Sequence, residues 1–372
     1  MLIGIPKEIK QNENRVALTP GVALELTQQG HDVLIEKTAG LSSGFSDSDY
    51  EGVNCRIIDS PKEIFDNVEL VVKVKEPQDE ELDYCSSDLT MFTYFHFAAS
   101  EELTKSYLKT GATAIAYETI MLDDGSLPLL VPMSEVAGRM AIQEGAKFLE
   151  KVNGGRGILL GGVPGVEAAK VTILGGGIVG ANAAFIAAGL GANVFILDVN
   201  LNRLRYLDEI MPKNVRTIYS NQYNIREHLR QTDLLIGAVL IPRSIAPKLV
   251  TRDMLKLMRP GSVIVDVAVD QGGCIETCKP TTHEDPIYEV DDIIHYCVAN
   301  MPGAVPYTST TALTNATNPY IQKLANNGIL NALQSDSSLL HGLNMINGHV
   351  THKGVADAFD LKYYSPENSL KN

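Results

Sequence analysis

Residues 171–188 read Val171-Thr172-Ile173-Leu174-Gly175-Gly176-Gly177-Ile178-Val179-Gly180 followed by a run of mostly small residues from Ala181 to Ala188. An apolar strand thus enters a glycine corner, and the corner opens a helix, the order required of G-x-G-x-x-G. Gly175 permits the tight turn, Gly177 lets the backbone approach a pyrophosphate, and Gly180 lets the helix pack on the strand. The helix N-terminus adds unpaired N–H groups and partial positive charge, with Ile178 and Val179 in its first turn. The next apolar run, Val194-Phe195-Ile196-Leu197, ends at Asp198, about twenty residues after the glycines, where a carboxylate accepts both ribose hydroxyls of NAD and repels a 2′-phosphate. NAD is therefore favoured over NADP, although Arg203 lies near enough to reach the adenosine ribose or ring and weakens that preference. A Gly-rich turn without ligand is the bland alternative, and strand, glycines, helix and terminal acid together argue against it.

On either side of this corner, β-rich runs alternate with helical ones, the pattern of parallel sheet with crossover helices. Before it, Leu2 to Ile5, Asp32 to Glu36, Leu70 to Lys75, Thr90 to His96 and Ala112 to Tyr117 read as strands, with helices at Gly21 to Gln29 and Glu101 to Thr110. Pro128 and Pro132 interrupt the pattern, and Ser134 with Glu135 opens a helix running to about Val152. Asn153 to Gly165 reads as a hinge or a ligand-approaching loop. Beyond it, strands are expected at Val171 to Leu174, Asn193 to Asp198, Arg216 to Ser220, Asp233 to Leu240, Ser262 to Ala268 and His295 to Asn300, and a long helix at Thr308 to Leu324. Six such segments suit a doubly wound sheet.

With 372 residues the chain holds two or three compact units. Its 31 basic and 45 acidic residues leave a formal charge of −14, which repels nucleic acid and anionic membrane surfaces. Apolar runs such as Ala181 to Leu190 are too short to cross a bilayer, which takes roughly 20 residues. The start, Met1 to Gly4 leading into Pro6-Lys7-Glu8, lacks the order of a signal peptide, so a cytoplasmic protein is expected. Cys55, Cys85, Cys274, Cys278 and Cys297 are odd in number and scattered, which fits a reducing compartment. A zinc site at Cys274 and Cys278 lacks a fourth ligand beyond His283, so no metal is expected.

Ligands collect at the C-terminal ends of strands in open α/β sheets, and several polar residues fall there. Lys75 closes one expected strand, as an ordinary exposed lysine or a substrate-facing one. His96 stands between Phe95 and Phe97, where an apolar setting keeps an imidazole titrating near neutrality, or where a buried histidine bonds to backbone. Arg15 reads as a bidentate carboxylate clamp or a surface cation. Asp270 follows Val267-Ala268-Val269 and precedes Gln271-Gly272-Gly273, an acid at a strand end beside a flexible loop, whereas Asp266 serves structure through a hydrogen bond. Ser134 reads as the N-cap of its helix.

Pro6-Lys7-Glu8, Glu13-Asn14-Arg15-Val16, Lys73-Val74-Lys75-Glu76-Pro77, His96-Phe97-Ala98-Ala99-Ser100, Pro132-Met133-Ser134-Glu135-Val136-Ala137-Gly138-Arg139, Val269-Asp270-Gln271-Gly272-Gly273 and Asn300-Met301-Pro302-Gly303-Ala304-Val305-Pro306 together resemble the alanine dehydrogenase family over essentially the whole chain. The resemblance implies a Rossmann-type doubly wound parallel sheet at 129–306, inserted into a second α/β domain (flavodoxin/formate-dehydrogenase-like) formed by 1–128 and 307–372. It implies a homohexamer that converts L-alanine and NAD⁺ reversibly to pyruvate, ammonium and NADH. With the cofactor on one domain and the substrate clamp on the other, closure about hinges near 129–135 and 300–306 is expected to assemble the site. By motif it gives Arg15 and Lys75 to the substrate, and His96 and Asp270 to proton transfer. Around the cofactor it points to Ser134, Ile178, Val179, Asp198, Arg203, Ser220, Val239, Leu240, Val267, Ala268, Val269, Asp270, Val298, Ala299, Asn300 and Met301. Where the family often writes Ala between the first two glycines, this chain has Gly176. Two other functions use the same fold: a non-catalytic NAD-binding sensor, which has no use for the set Arg15, Lys75, His96 and Asp270, and a hydride-transfer subunit of a membrane complex, which lacks the His96 context. Saccharopine dehydrogenase, from the same superfamily, handles a much larger substrate.

Overall fold

The computed structural model describes residues 1–239, 247–269 and 272–371. The chain divides into two compact units, one made of Met1–Met133 with Gly303–Asn372 and the other of Ser134–Pro302. Both junctions differ from the expected 128/129 and 306/307. The first falls inside the helix Val131–Phe148 and the second inside the 3-10 turn Met301–Ala304. Pro132 does not break that helix but sits in its first turn, where a missing N–H costs nothing. Ser134 is consequently a helical residue and not the N-cap.

Strands are numbered along the chain. The terminal unit holds β1 (Leu2–Ile5), β2 (Asp32–Glu36), β3 (Arg56–Ile58), β4 (Leu70–Val72), β5 (Thr90–Thr93), β6 (Thr113–Ala116), β14 (Leu343–Ile346) and β15 (His349–Val350). They form one sheet in the order β15-β14-β6-β5-β4-β1-β2-β3. The first six are parallel, and β14 and β15 add an antiparallel edge. The sheet is therefore mixed. Its central strands β4, β5 and β6 are buried along their whole length, as parallel strands covered on both faces must be. Two strands stop earlier than their apolar runs suggest: β4 ends at Val72 and β5 at Thr93, short of Lys75 and His96. The chain leaves the ladder there, so both side chains sit on strand-end loops. The helix Pro306–Asn327, longer than the expected 308–324, is tied back to the N-terminal segment: the Val16 N–H donates to Thr310 Oγ1 at 3.1 Å, and Thr314 Oγ1 donates to the Ala17 carbonyl at 3.3 Å.

The inner unit holds β7 (Lys170–Leu174), β8 (Asn193–Asp198), β9 (Val215–Tyr219), β10 (Leu234–Gly237), β11 (Val263–Asp266), β12 (Ile287–Val290) and β13 (Ile293–Tyr296), in the order β12-β13-β11-β10-β7-β8-β9. All neighbours are parallel except β12 on β13. The chain winds outward from β7 through β8 to β9, then crosses to β10 on the other side of β7. This is the topological switch point at which doubly wound sheets bind ligands. The 153–165 loop is packed rather than free-standing: the Arg156 N–H donates to the Gly261 carbonyl at 3.0 Å, and its guanidinium pairs with Asp233 at 2.8 Å.

Candidate dinucleotide and substrate sites

At the switch point β7 turns at Gly175, whose φ of +100° is a conformation that side chains disfavour. A Cβ at Gly175 would stand 2.7 Å from the Ala238 carbonyl oxygen, and one at Gly180 would stand 1.9 Å from the Gly175 oxygen. Each needs to be bare for the corner to close. Gly177 is different: nothing lies within 4 Å of where its Cβ would be. It caps the twelve-residue helix Ile178–Gly189, so an open, side-chain-free approach leads to helical N–H groups. That space and those donors suit a pyrophosphate.

Asp198 ends β8 beside this corner. Its Oδ2 accepts the Gly176 N–H at 2.6 Å and its Oδ1 the Asn200 N–H at 2.8 Å. Carboxylate oxygens each accept more than one bond, so ribose hydroxyls can still be held. Arg203 donates from Nε to the Gly176 carbonyl at 2.6 Å and lies over the Tyr206 ring, bracing the glycine corner. The remaining expected cofactor positions lie at the C-terminal ends of strands. Ser220 follows β9 and donates its N–H to the Asp198 carbonyl at 2.9 Å, while Val267 follows β11 and donates to the Gly237 carbonyl at 2.9 Å. Val239 follows β10, and Ala268 and Val269 follow Val267. Val298, Ala299, Asn300 and Met301 follow β13, with Asn300 left-handed at φ 59°. Ser134 stands one turn before Gly138, where a Cβ would come within 2.3 Å of the Val179 oxygen, so its helix touches the corner. Leu240 and Asp270 lie outside the described residues.

Asp266 is buried at the end of β11, where desolvation pushes its pKa up to about 6, and it accepts the Ala268 N–H at 3.1 Å. No group of three or more His, Cys, Asp or Glu that could hold a metal occurs among the described residues.

In the terminal unit Arg15 is only 3% exposed. Glu13, two residues earlier, grips it: Nε donates to Oε1 at 2.6 Å and the second arm pairs with Oε2 at 2.5 Å. Burial opposes both charges, yet the pairing outweighs it, holding the Glu13 carboxyl below its usual range and raising the Arg15 pKa. The guanidinium also reaches Met133 Sδ at 3.0 Å. Arg15 is therefore a buried, oriented cation rather than a surface one.

Lys75 is half-buried. Burial first, then the nearby charges of Arg15 and Lys10, push its pKa below that of an ordinary lysine. Its main chain is set by Glu8, whose Oε1 accepts the N–H of Val74 at 2.6 Å and of Lys75 at 3.2 Å. Glu8 is in turn paired with fully buried Lys73 at 3.0 Å, which also holds Glu81 at 2.7 Å. Burial raises the Glu8 pKa, and Lys73 offsets this only in part.

His96 departs from its expected setting. Phe95 and Phe97 are each 1% exposed and stack on one another, but His96 between them is exposed. Its φ of 52° and ψ of 38° turn the side chain outward. The Glu118 carboxylate takes the His96 N–H at 2.6 Å and the Phe95 N–H at 3.3 Å. Lys75 and His96 line one cavity of about 620 Å³, whose wall also includes Lys10, Glu76 and Ser100. Glu8, Glu13 and Glu118 do not emerge from strand-end reasoning. Glu13 alone had a local signal, since it stands two residues from Arg15.

A glycine corner with a strand-end acid in one unit, and a set of oriented cations beside a histidine in the other, define a two-domain nucleotide-dependent oxidoreductase. The profile described as Alanine dehydrogenase/PNT, N-terminal domain matches residues 4–137, and that described as Alanine dehydrogenase/PNT, C-terminal domain matches residues 141–353. The chain belongs to the alanine dehydrogenase/PNT family. It is 57% identical to the alanine dehydrogenase of Staphylococcus haemolyticus over 100% of both chains. Among solved structures it is similar to an L-alanine dehydrogenase with 52% identity and a TM-score of 0.94, covering 97% of this chain and 99% of the other. A transhydrogenase from Sinorhizobium meliloti is more distant, with 25% identity and a TM-score of 0.80 over 95% and 99% of the two chains.

Proposed function

We propose that the protein catalyses the reversible oxidative deamination of L-alanine: alanine, NAD⁺ and water give pyruvate, ammonium, NADH and a proton. The observation that carries this reading is the charge arrangement of the terminal unit, in a family member: a buried guanidinium held by Glu13, a lysine of lowered pKa, and an exposed histidine sharing a cavity with that lysine. Arg15 holds the alanine carboxylate, and its orientation fixes Cα, because hydride transfer demands near-contact geometry. The Gly175–Gly180 corner and, at the ribose, Asp198 would hold NAD⁺, which would supply the acceptor for the Cα hydride once the alanine ammonium has given up a proton. Water then adds to the resulting iminium carbon. His96 takes the proton of that water, and Lys75 polarises the oxygen as it gains charge. His96 returns that proton to the amino group and then takes the hydroxyl proton as the C–N bond breaks, so the oxygen becomes the pyruvate carbonyl and the departing ammonia is protonated to ammonium. Asp270 orients the water or serves as a second acid and base.

Asp198 supports NAD over NADP, since a carboxylate there repels a 2′-phosphate. Exposed Leu159, Val163 and Val166 offer apolar surface for the proposed homohexamer, and five free thiols suit a reducing cytoplasm. Among the described residues, no helix is long and apolar enough to cross a membrane.

The test is absorbance of reduced nicotinamide with alanine, serine, glycine and lysine in turn, with NAD and then NADP. Alanine with NAD is expected to dominate. His96→Ala is expected to lower the rate more than about tenfold, within the range for lost general acid–base catalysis. A smaller loss removes His96 from this role.

A further inference from the structure

We propose that Glu118 is the positioning residue of His96, acting through the main chain to hold the imidazole where protons are moved; this rests on the role given to His96 above. His96 occupies the left-handed region with φ 52° and ψ 38°. For a residue with a side chain that conformation costs about 1–2 kcal/mol, and it persists only where the surroundings impose it. The surroundings here are specific. Phe95, Phe97 and Tyr107 form an aromatic cluster with ring centroids 4.4–5.4 Å apart, which anchors the residues on both sides of His96 in the core. Between those anchors the chain turns sharply, and successive N–H groups, of Phe95 and His96, point the same way. Glu118 spans both with its two oxygens, at 3.3 Å and 2.6 Å.

The carboxylate is itself fixed. It belongs to the 3-10 turn Tyr117–Thr119 that follows β6. Thr119 in the same turn accepts Asn344 Nδ2 at 2.6 Å, and the Tyr117 ring packs edge-on against Phe92 at 4.3 Å. The sheet thus positions Glu118, and Glu118 positions the His96 turn. The imidazole stacks parallel to the Tyr94 ring at 5.8 Å, and the Tyr94 hydroxyl donates to the Leu129 carbonyl at 2.5 Å. Main chain and ring are held separately, by an acid and by an aromatic face.

Glu118→Gln is nearly isosteric but offers one acceptor oxygen where two N–H groups need two, and its amide NH₂ would face an N–H. The turn relaxes and the imidazole moves. Displacing a reacting group by about 1 Å costs up to roughly 100-fold. Glu118→Gln is therefore expected to lower kcat for pyruvate amination about 10- to 100-fold, with KM for pyruvate within about twofold, since Arg15 and Lys75 carry binding. A purely structural role would predict lost stability and an effect independent of His96, so the deciding measurement is a double-mutant cycle. In the His96→Ala background, Glu118→Gln is expected to change kcat less than about twofold, because its effect runs through the missing side chain. A Glu118→Gln kcat within twofold of the parent overturns the proposal, as does recurrence of the full loss in the His96→Ala background. Should His96→Ala alone stay within tenfold of the parent, the role of His96 fails first and this inference with it. If the amide variant does not fold, Glu118→Asp, which keeps the charge but withdraws it by one methylene, carries the same cycle with the same two overturning results.

Discussion

The two units make their sites from opposite materials. In the inner unit the candidate site is defined by what is missing: no Cβ at Gly175, Gly177 or Gly180, and backbone N–H groups left open at a helix start. In the terminal unit it is defined by charge placed inside the protein, with Arg15, Lys73, Glu8, Glu13 and Glu81 all buried. The difference follows from the ligands each would take. A pyrophosphate is large and doubly charged, and dipoles with room around them hold it without any buried ion. A small carboxylate needs a directed cation, and a buried cation persists only with a counter-ion that has its own hydrogen bonds. The terminal unit therefore carries a supporting layer of acids around its cations, whereas at the glycine corner the inner unit adds only Asp198.

Removing the cation at the centre of that layer should have the largest effect. Lys73→Met leaves Glu8 and Glu81 buried without a positive partner, and breaking such a pair from one side costs about 3–5 kcal/mol. Chemical denaturation is expected to show a loss of that size. A loss below about 1 kcal/mol would mean that the buried charges are dispensable and the contrast between the units is weaker than drawn. Gly180→Ala probes the other material. The added methyl meets a main-chain oxygen at 1.9 Å, so strand and helix must separate. The expected cost is about 2–3 kcal/mol, with weakened NADH binding in a fluorescence titration. Unchanged binding would mean that the corner tolerates displacement.

These materials also differ in how far the amino-acid sequence reveals them. The glycine corner is contiguous, and its spacing encodes its geometry, so strand, turn, helix and Asp198 are all visible before folding. The acids are not. Glu8 meets the Val74 and Lys75 N–H groups from 66 and 67 residues away, and Glu118 meets His96 across 22. Only the sheet order brings them together. The outward turn at His96 was hidden for the same reason, since flanking phenylalanines suggest burial and only the left-handed backbone sends the imidazole out. The antiparallel edges carry only a weak local signal. Asn347-Gly348, both at positive φ, joins β14 to β15, and Asp291-Asp292, likewise, joins β12 to β13. Such pairs mark two-residue hairpins, but the flanking strands are short.

A smaller effect is expected where the inner unit does use a charge. Asp198 is tied to the corner through the Gly176 N–H, and the proposed function gives it the ribose as well. Asp198→Ala is expected to weaken NADH binding about 10- to 100-fold, the equivalent of one or two bonds to a charged acceptor, and to narrow the gap between NADH and NADPH. Titrations with both nucleotides measure this. A tenfold gain for NADPH with NADH unchanged would show that the carboxylate only repels and does not bind.

The subtlest expected effect concerns the cost of the terminal unit's charges. Lys75 has a pKa below that of a free lysine because burial, Arg15 and Lys10 all disfavour its ammonium. Between the folded pKa and the ordinary value of about 10.4 the folded state binds fewer protons than the unfolded one, so stability rises with pH across that window. Below the window the charged amine is penalised in full, and above it the penalty vanishes. Lys75→Met removes the ammonium and keeps most of the apolar stem. It is expected to melt ~1–3 °C higher than the parent below the folded pKa, the scale on which about 1 kcal/mol or less registers in a unit of this size. The advantage should shrink toward zero as pH rises to about 10.4. Melting curves of the two proteins across that range measure it. A constant difference would attribute the gain to the new methyl thioether, and a lower melting temperature at every pH would show that the amine is held by favourable contacts, against the lowering by burial and by Arg15 and Lys10.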